Sequence, residues 1–487
     1  MDKFFKISER GSNVRTEIIA GLTTFFAMAY IVVTNPNQIV SFNHLAPDAD
    51  PAFQQIWNAV YVASILAAII GTLLMALYAK MPFAQACGMG LNSFFFVSFI
   101  LPEIISGGDI IKGYHAGLVI ILVSGFVFLL FSVTGLRVKV AKALPDCLKK
   151  AIPAGIGLFI AFLGFQDAGI VVNDSATCVG LVSLNLLGGA TWGSIMPVLV
   201  TVGALIAIAV LSKRGVRGAI LWSILGGAVV YYALGFTVPG FYENFLAGVS
   251  LNPLDAFRDF GDMAFGKVFT EGFDFSGYLA MEGHSVGGLV LAFATTALAF
   301  CVVDMFDTLG TLYGACRGGN MLIKNAKGEE EVPNMDRAML ADALATCVGA
   351  VCGTSTVTTF VESSSGIAVG GRTGLTSIVT SVLFFIALFL SPLAALVPAC
   401  AYSAALIYIG TLMISCVRDI DWADPAVAVP SFLTLTVMPF TYNISYGIGF
   451  GLISYIFVRL FTGKAKEINA ATWIISALFA AMFLLTH

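Results

Sequence analysis

The chain has 487 residues, of which 58% are hydrophobic and only 11% charged, with a net charge of −4 and a mean hydropathy of +0.91. A soluble protein of this length carries about 25% charged residues, so a soluble globular fold is excluded and an all-α polytopic membrane protein is expected. The charge is spread over the loops and points to no nucleic-acid partner.

The N-terminal stretch MDKFFKISERGSNVRTE is charged and precedes the first long apolar run, so it does not read as a cleaved signal peptide. Apolar runs of roughly 18 to 25 residues, the length that crosses a bilayer as a helix, then recur. They fall near 17–34, 55–79, 83–101, 114–134, 151–171, 193–212, 217–236, 287–314, 338–352, 354–371, 373–392, 396–416, 425–441, 444–462 and 470–486. With the N-terminus cytoplasmic, all but Lys112, Arg258 and Lys267 of the 25 basic residues, Arg137, Lys139, Lys142 and Lys327 among them, fall in inside loops. The positive-inside rule asks for that bias. Residues 237–286 then form a long outer loop, and 315–337, carrying GEEE at 328–331, the longest inner one.

The nine Cys residues include no C-x-x-C pair and mostly sit in apolar segments, where Cys packs as a small hydrophobe. His44, His115, His284 and His487 do not cluster, so no metal site is expected. No G-x-x-x-x-G-K-[ST] loop occurs, which argues against ATP drive.

The halves echo one another. KKAIPAGIGLFIAFLGFQ (149–166) and AALVPACAYSAALIYIGTLM (394–413) both open on an x-Pro-Ala helix start and follow the fourth segment of their half. One starts inside and the other outside, so the repeat is inverted, a frequent plan of secondary transporters. Two segments, each third in its half, are interrupted: KMPFAQACGMGLNSFFF (80–96) and GTSTVTTFVESSSG (353–366). Non-helical backbone at membrane depth survives only when buried in protein or facing a water-filled cavity. The Thr/Ser/Val alternation at 354–361 suits a short strand, and Ser363, Ser364 and Ser365 suit a helix N-terminus.

Glu362 sits in that second stretch, and Asp304 and Asp307 are spaced i, i+3 in AFCVVDMFDTLGTLYG (299–314), so they share a helix face. A carboxylate at the bilayer centre costs ~2.5–3.5 kcal/mol on insertion scales, which makes each a functional-site candidate. Either Asp could instead cap a helix or pair with Arg317 or Arg372.

The run GLTTFFAMAYIVVTNP (21–36), then GMGLNSFFF (88–96), VDMFDTLGTLYG (303–314) and GTSTVTTFVESSSGIAVGGRTGLTS (353–377), resembles the AzgA-like purine permeases of the xanthine/uracil permease superfamily. The resemblance implies about 14 transmembrane segments in two inverted seven-helix repeats. A core domain would comprise 17–134 and 287–392, and a gate domain 151–236 and 396–487. The cytoplasmic N-terminus would be 1–16, and 237–286 the outer loop. Segments 3 and 10 would each hold a short strand and a half-helix, with substrate between core and gate. Family roles fall on Asp304, Glu362 and Asn92. The His that uracil permeases carry one turn after the first acid is replaced here by Thr308, which disfavours a pyrimidine.

What is implied is a cell-membrane transporter, not an enzyme, importing purine bases by proton symport with elevator-like movement. Its partners would be a purine base, protons, the lipid bilayer and a second copy of the chain, with no cofactor. The chemistry is consistent: a carboxylate accepts two N–H bonds side by side from a purine edge. Phe94, Phe306 and Phe360 could hold the ring face or simply pack. Asn92 and Thr308 could serve its other polar atoms. Glu362 is expected to hold the base and Asp304 to carry the proton, with Asp307 as a further proton site and the first two roles open to exchange. GMGLN at 88–92 leans toward hypoxanthine and guanine over adenine. The rivals are a uracil or xanthine permease, an anion transporter of the same architecture, and a channel. An anion carrier fits poorly with intramembrane acids and no intramembrane base. An aspartyl hydrolase is disfavoured because Asp304 and Asp307 lie on one helix and cannot flank a peptide.

Overall fold

The structure, a computed structural model, describes residues 2–40, 51–106, 108–135, 144–174, 177–241, 252–275, 286–324 and 330–485. Parts of the expected loops 237–286 and 315–337 lie outside the described residues, as do Arg137, Lys139, Lys142, Lys327, His44, His284 and His487. Among the described residues nine helices are long and apolar enough to cross a bilayer, and four shorter apolar helices accompany them.

The first half holds α1 (Val14–Met28), α2 (Ile31–Val40), α3 (Pro51–Leu74), β1 (Gln85–Cys87), α4 (Met89–Phe95), α5 (Ile110–Thr134), α6 (Asp146–Asp167), α7 (Trp192–Lys213) and α8 (Ala219–Gly235). The second holds α9 (Val286–Gly318), α10 (Met335–Cys352), β2 (Val357–Thr359), α11 (Ser363–Ala368), α12 (Gly374–Ala387), α13 (Ala399–Met413), α14 (Pro425–Thr441), α15 (Ile444–Phe461) and α16 (Ala470–Leu485). Strand followed by half-helix thus occurs at the third position of each half, as the inverted repeat requires. The boundaries follow local chemistry. Asn13, Asp109, Thr373 and Asn443 each accept a backbone N–H at a helix start, which satisfies donors the helix cannot.

The helices pack in two sets. α3 lies on α10 and α12, α1 on α11 and α12, and α5 on α9 and α10. In the other set α6 packs on α13 and α14, α14 on α15, and α7 on α8 and α13. The half-helix α4 lies against α6 and so bridges the two sets. Gly90 permits this approach: a Cβ there would sit 2.3 Å from Ile156 Cγ2.

β1 and β2 pair antiparallel, Gln85 opposite Thr359, Ala86 opposite Thr358 and Cys87 opposite Val357. The ladder continues at both ends, where Gly88 N donates to Thr356 O and Phe360 N to Ala84 O, each at 3.0 Å. Bilayer offers no water to a bare strand, so each interrupted segment supplies the other's backbone partners. Gly353, at φ +100°, turns the chain from α10 toward β2, and a Cβ there would meet Ala264 Cβ at 2.4 Å.

One local expectation changes. The N-cap position of α11 is Glu362, which makes no side-chain cap bond. Ser363 Oγ instead accepts a bond from Ala84 N at 3.0 Å, tying the half-helix of one half to the strand of the other.

Candidate functional site

The strand pair and the two half-helices meet α6 and α13 around a cavity with about 700 Å³ of open space. One wall carries Tyr30, the stretch Gly88 to Leu91, Asp307, Thr311, Thr358, Thr359, Phe360 and Glu362. The opposite wall consists of Ile156 and Ile160 from α6 and Ile409, Leu412 and Met413 from α13. Every polar side chain therefore belongs to one set of helices, and the other presents only apolar side chains. No Lys or Arg lines this cavity; Arg217 lines the adjoining one, which shares Val361, Glu362 and Leu412 with it.

Glu362 is held in place. Tyr30, at the bend between α1 and α2, donates from Oη to Glu362 Oε1 at 2.5 Å, and the Tyr30 side chain is fully buried. The second carboxyl in the cavity is Asp307. Asp304, one turn back along α9, does not line it. Residues i and i+3 share a face only loosely, about 60° apart around the axis, and here the difference separates them. Asp304 points away, buried, and its Oδ2 accepts from Thr346 Oγ1 at 2.8 Å on α10.

Behind the strands lies a fourth acid. Asp342, on α10, is fully buried. Its Oδ1 accepts from Gln85 Nε2 at 2.7 Å and from Thr359 Oγ1 at 2.9 Å, and its Oδ2 from Thr308 Oγ1 at 2.7 Å. Thr308 also shares a 2.9 Å bond with Thr358, and Thr346 Oγ1 lies 3.0 Å from Val357 O, the alternative acceptor for its one proton. The acids, threonines and strands thus form one network reaching from α9 and α10 to the cavity wall. Most of its buried polar atoms are bonded, as burial demands, but Asp304 Oδ1 and Gln85 Oε1 have no hydrogen-bond partner among the described residues.

Phe360 lines the cavity. Phe94 does not; it stacks on Phe300, with ring centroids 4.8 Å apart. Phe306 packs among the buried apolar residues. Thr308 belongs to the Asp342 network. Asn92 is buried behind the cavity, donating to Gln38 Oε1 at 3.1 Å and accepting from Ser355 Oγ. Of the hydroxyls in the 353–366 stretch, Thr358 and Thr359 reach the cavity, whereas Thr354 accepts from Asn35 Nδ2 at 3.2 Å. Sequence reasoning missed Tyr30 and Asp342. Asp342 carried the signal that singled out Asp304, an acid inside an apolar span. Tyr30 carried none, because a Tyr within an apolar run looks like packing.

The comparisons agree with this architecture. Residues 15–450 match the Permease family (Xan_ur_permease). The chain is similar to the guanine/hypoxanthine permease PbuG of Bacillus subtilis, at 37% identity over 99% of both chains. It is similar to the adenine permease AdeQ of Escherichia coli, at 34% identity over 100% of this chain and 96% of that one. Among solved structures, the transmembrane domain of the cyanobacterial bicarbonate transporter BicA superposes with a TM-score of 0.57 at 12% identity, covering 91% of this chain and 97% of that one. That last likeness bears on the fold alone, the inverted-repeat transporter fold.

Proposed function

The chain belongs to the Permease family, and on that premise we propose that it imports purine nucleobases across the cell membrane by proton symport, with its N-terminus cytoplasmic. The observation that carries the reading is the pair Glu362 and Asp307 in one cavity without a basic residue. A purine base is neutral, flat and edged with N–H donors. Carboxylates accept such donors strongly, and an anionic substrate would meet repulsion there. The names of the relatives, permeases for guanine and hypoxanthine and for adenine, support a purine over a pyrimidine.

Glu362, oriented by Tyr30, takes the N–H edge of the base. Phe360 and the backbone of Gly88 to Leu91 hold its face and remaining edge, and this glycine-rich stretch favours hypoxanthine and guanine. Asp304, Asp307 and Glu362 are the acids through which a proton can be coupled. Asn92, Thr308 and Phe94 act from behind the cavity, by fixing the half-helix and the strands that present it.

The two-sided wall supports an elevator. α1 to α5 with α9 to α12 act as the core, and α6 to α8 with α13 to α16 as the gate. A substrate bonded only to the core travels with it, while the apolar gate offers nothing to hold it back. The test is uptake of radiolabelled hypoxanthine, guanine, adenine and uracil in cells lacking their own permeases, with and without a protonophore. Purine uptake abolished by the protonophore supports the reading. Purine uptake indifferent to it removes proton symport, and no purine uptake removes the substrate.

A further inference from the structure

A second cavity, larger than the central one, opens at the face expected outside, between the helices of the core and the α15–α16 end of the gate. It holds about 1270 Å³ of open space. Its mouth is charged: Lys112 pairs with Asp274 at 2.9 Å, and Glu103, which also lines it, has Asp109, Lys112 and Asp274 as charged neighbours. Below the mouth come the hydroxyls of Ser98 and Ser445, and Thr296 lies deeper along α9. Ser445 is 1% exposed, and its Oγ, like that of Ser98, has no hydrogen-bond partner among the described residues. Such a group asks for a ligand or water.

The cavity does not end there. Phe275, Leu289 and Phe293 also line a neighbouring groove, whose other residues, Val123, Val127, Val290, Ala294, Ala297, Leu298 and Leu478, are all apolar. Val290 is 63% exposed, so the groove is open at that residue. From Lys112 at the mouth to Val127 in the groove α5 advances 15 residues, roughly 22 Å at 1.5 Å per residue. That is about half the thickness of a bilayer with its headgroups.

We propose that this crevice is a binding site for one membrane phospholipid with a primary-amine headgroup. Charged mouth, hydroxyls and hydrocarbon groove follow the order of headgroup, glycerol esters and acyl chain over the depth of a single leaflet. A purine base, polar around its whole edge, fits no such gradient. The mouth selects the headgroup. Three acids, Glu103, Asp109 and Asp274, neighbour the one lysine, and Glu103 and Asp274 line the mouth, so the ammonium lies between these two and the phosphate beside Lys112. An anionic phosphatidylglycerol lacks the cation this arrangement favours. The lipid would lie where the proposed core meets the gate.

The test is native mass spectrometry of the full-length protein exchanged into micelles doped with equal phosphatidylethanolamine and phosphatidylglycerol. Wild type is expected to retain phosphatidylethanolamine about tenfold over phosphatidylglycerol, the ratio two surface-type charge contacts provide. Glu103→Gln with Asp274→Asn brings the ratio to about one. Ala294→Trp, which fills the exposed groove, lowers retention of both lipids. Equal retention by wild type, or a preference the double variant leaves unchanged, overturns the proposal. Neither readout depends on purine transport, so this proposal and the transport reading fail separately.

Discussion

Tyr30 Oη lies 2.5 Å from Glu362 Oε1, so the acid nearest the proposed base takes its orientation from a residue 332 positions away. Tyr30→Phe keeps the ring and removes only the donor. A hydrogen bond to a charged group contributes about 1.5–3 kcal/mol, and misorienting Glu362 is expected to raise the KM for purine uptake by roughly tenfold. Surface expression and melting temperature should stay near wild type. An unchanged KM would separate Tyr30 from substrate binding.

Gly90 lies where the half-helix α4 meets α6. Its Cβ would lie 2.3 Å from Ile156 Cγ2, and a β-branched side chain has little freedom to yield. Gly90→Ala should cut the maximal uptake rate severalfold, and Ile156→Ala should restore it in the double variant. Rescue in such a cycle reports direct coupling. Two independent losses would mean that the contact does not limit movement.

Asp342 binds Gln85, Thr308 and Thr359 at once. Asp342→Ala leaves three buried donors without their acceptor, at about 1–3 kcal/mol each if unrelieved. The expected result is a melting temperature several degrees lower and little uptake. Thr308→Val removes one bond and should fall between Asp342→Ala and wild type. Equal melting temperatures would show the network to be slack.

Glu17 is fully buried and accepts from Arg372 N at 2.9 Å, Thr373 Oγ1 at 2.9 Å and Thr376 Oγ1 at 2.6 Å. It pins α1 to the start of α12, away from the cavity. Glu17→Ala should therefore lower stability and the amount of folded protein while leaving the KM of the remaining transporters unchanged. A shifted KM would show that this clamp reaches the site.

The sequence disclosed the spans, the paired interruptions and Glu362, because each contrasts with an apolar background. Gly, Ser, Thr and an acid at membrane depth are costly unless structure answers them. Which of Asp304 and Asp307 faces the cavity was not legible, since helix rotation is set by packing against α10 and β2. Asn92 looked like a ligand because its partners, Gln38 and Ser355, lie 54 and 263 residues away. Ser363 looked like a cap for the same reason, its partner Ala84 being 279 residues away. Asp342 carries the same signal as Asp304, an acid inside an apolar span.

The most direct test of the central claim is equilibrium binding of hypoxanthine and guanine to purified protein, wild type against Glu362→Gln and Asp307→Asn. Binding needs no gradient and no movement, so it isolates the cavity. The account predicts saturable binding by wild type, competed by purines and not by uracil. It predicts a Kd at least about tenfold higher for Glu362→Gln, as expected for losing a charge-assisted bond, with a smaller rise for Asp307→Asn. An unchanged Kd in Glu362→Gln, with the protein folded, would contradict the account.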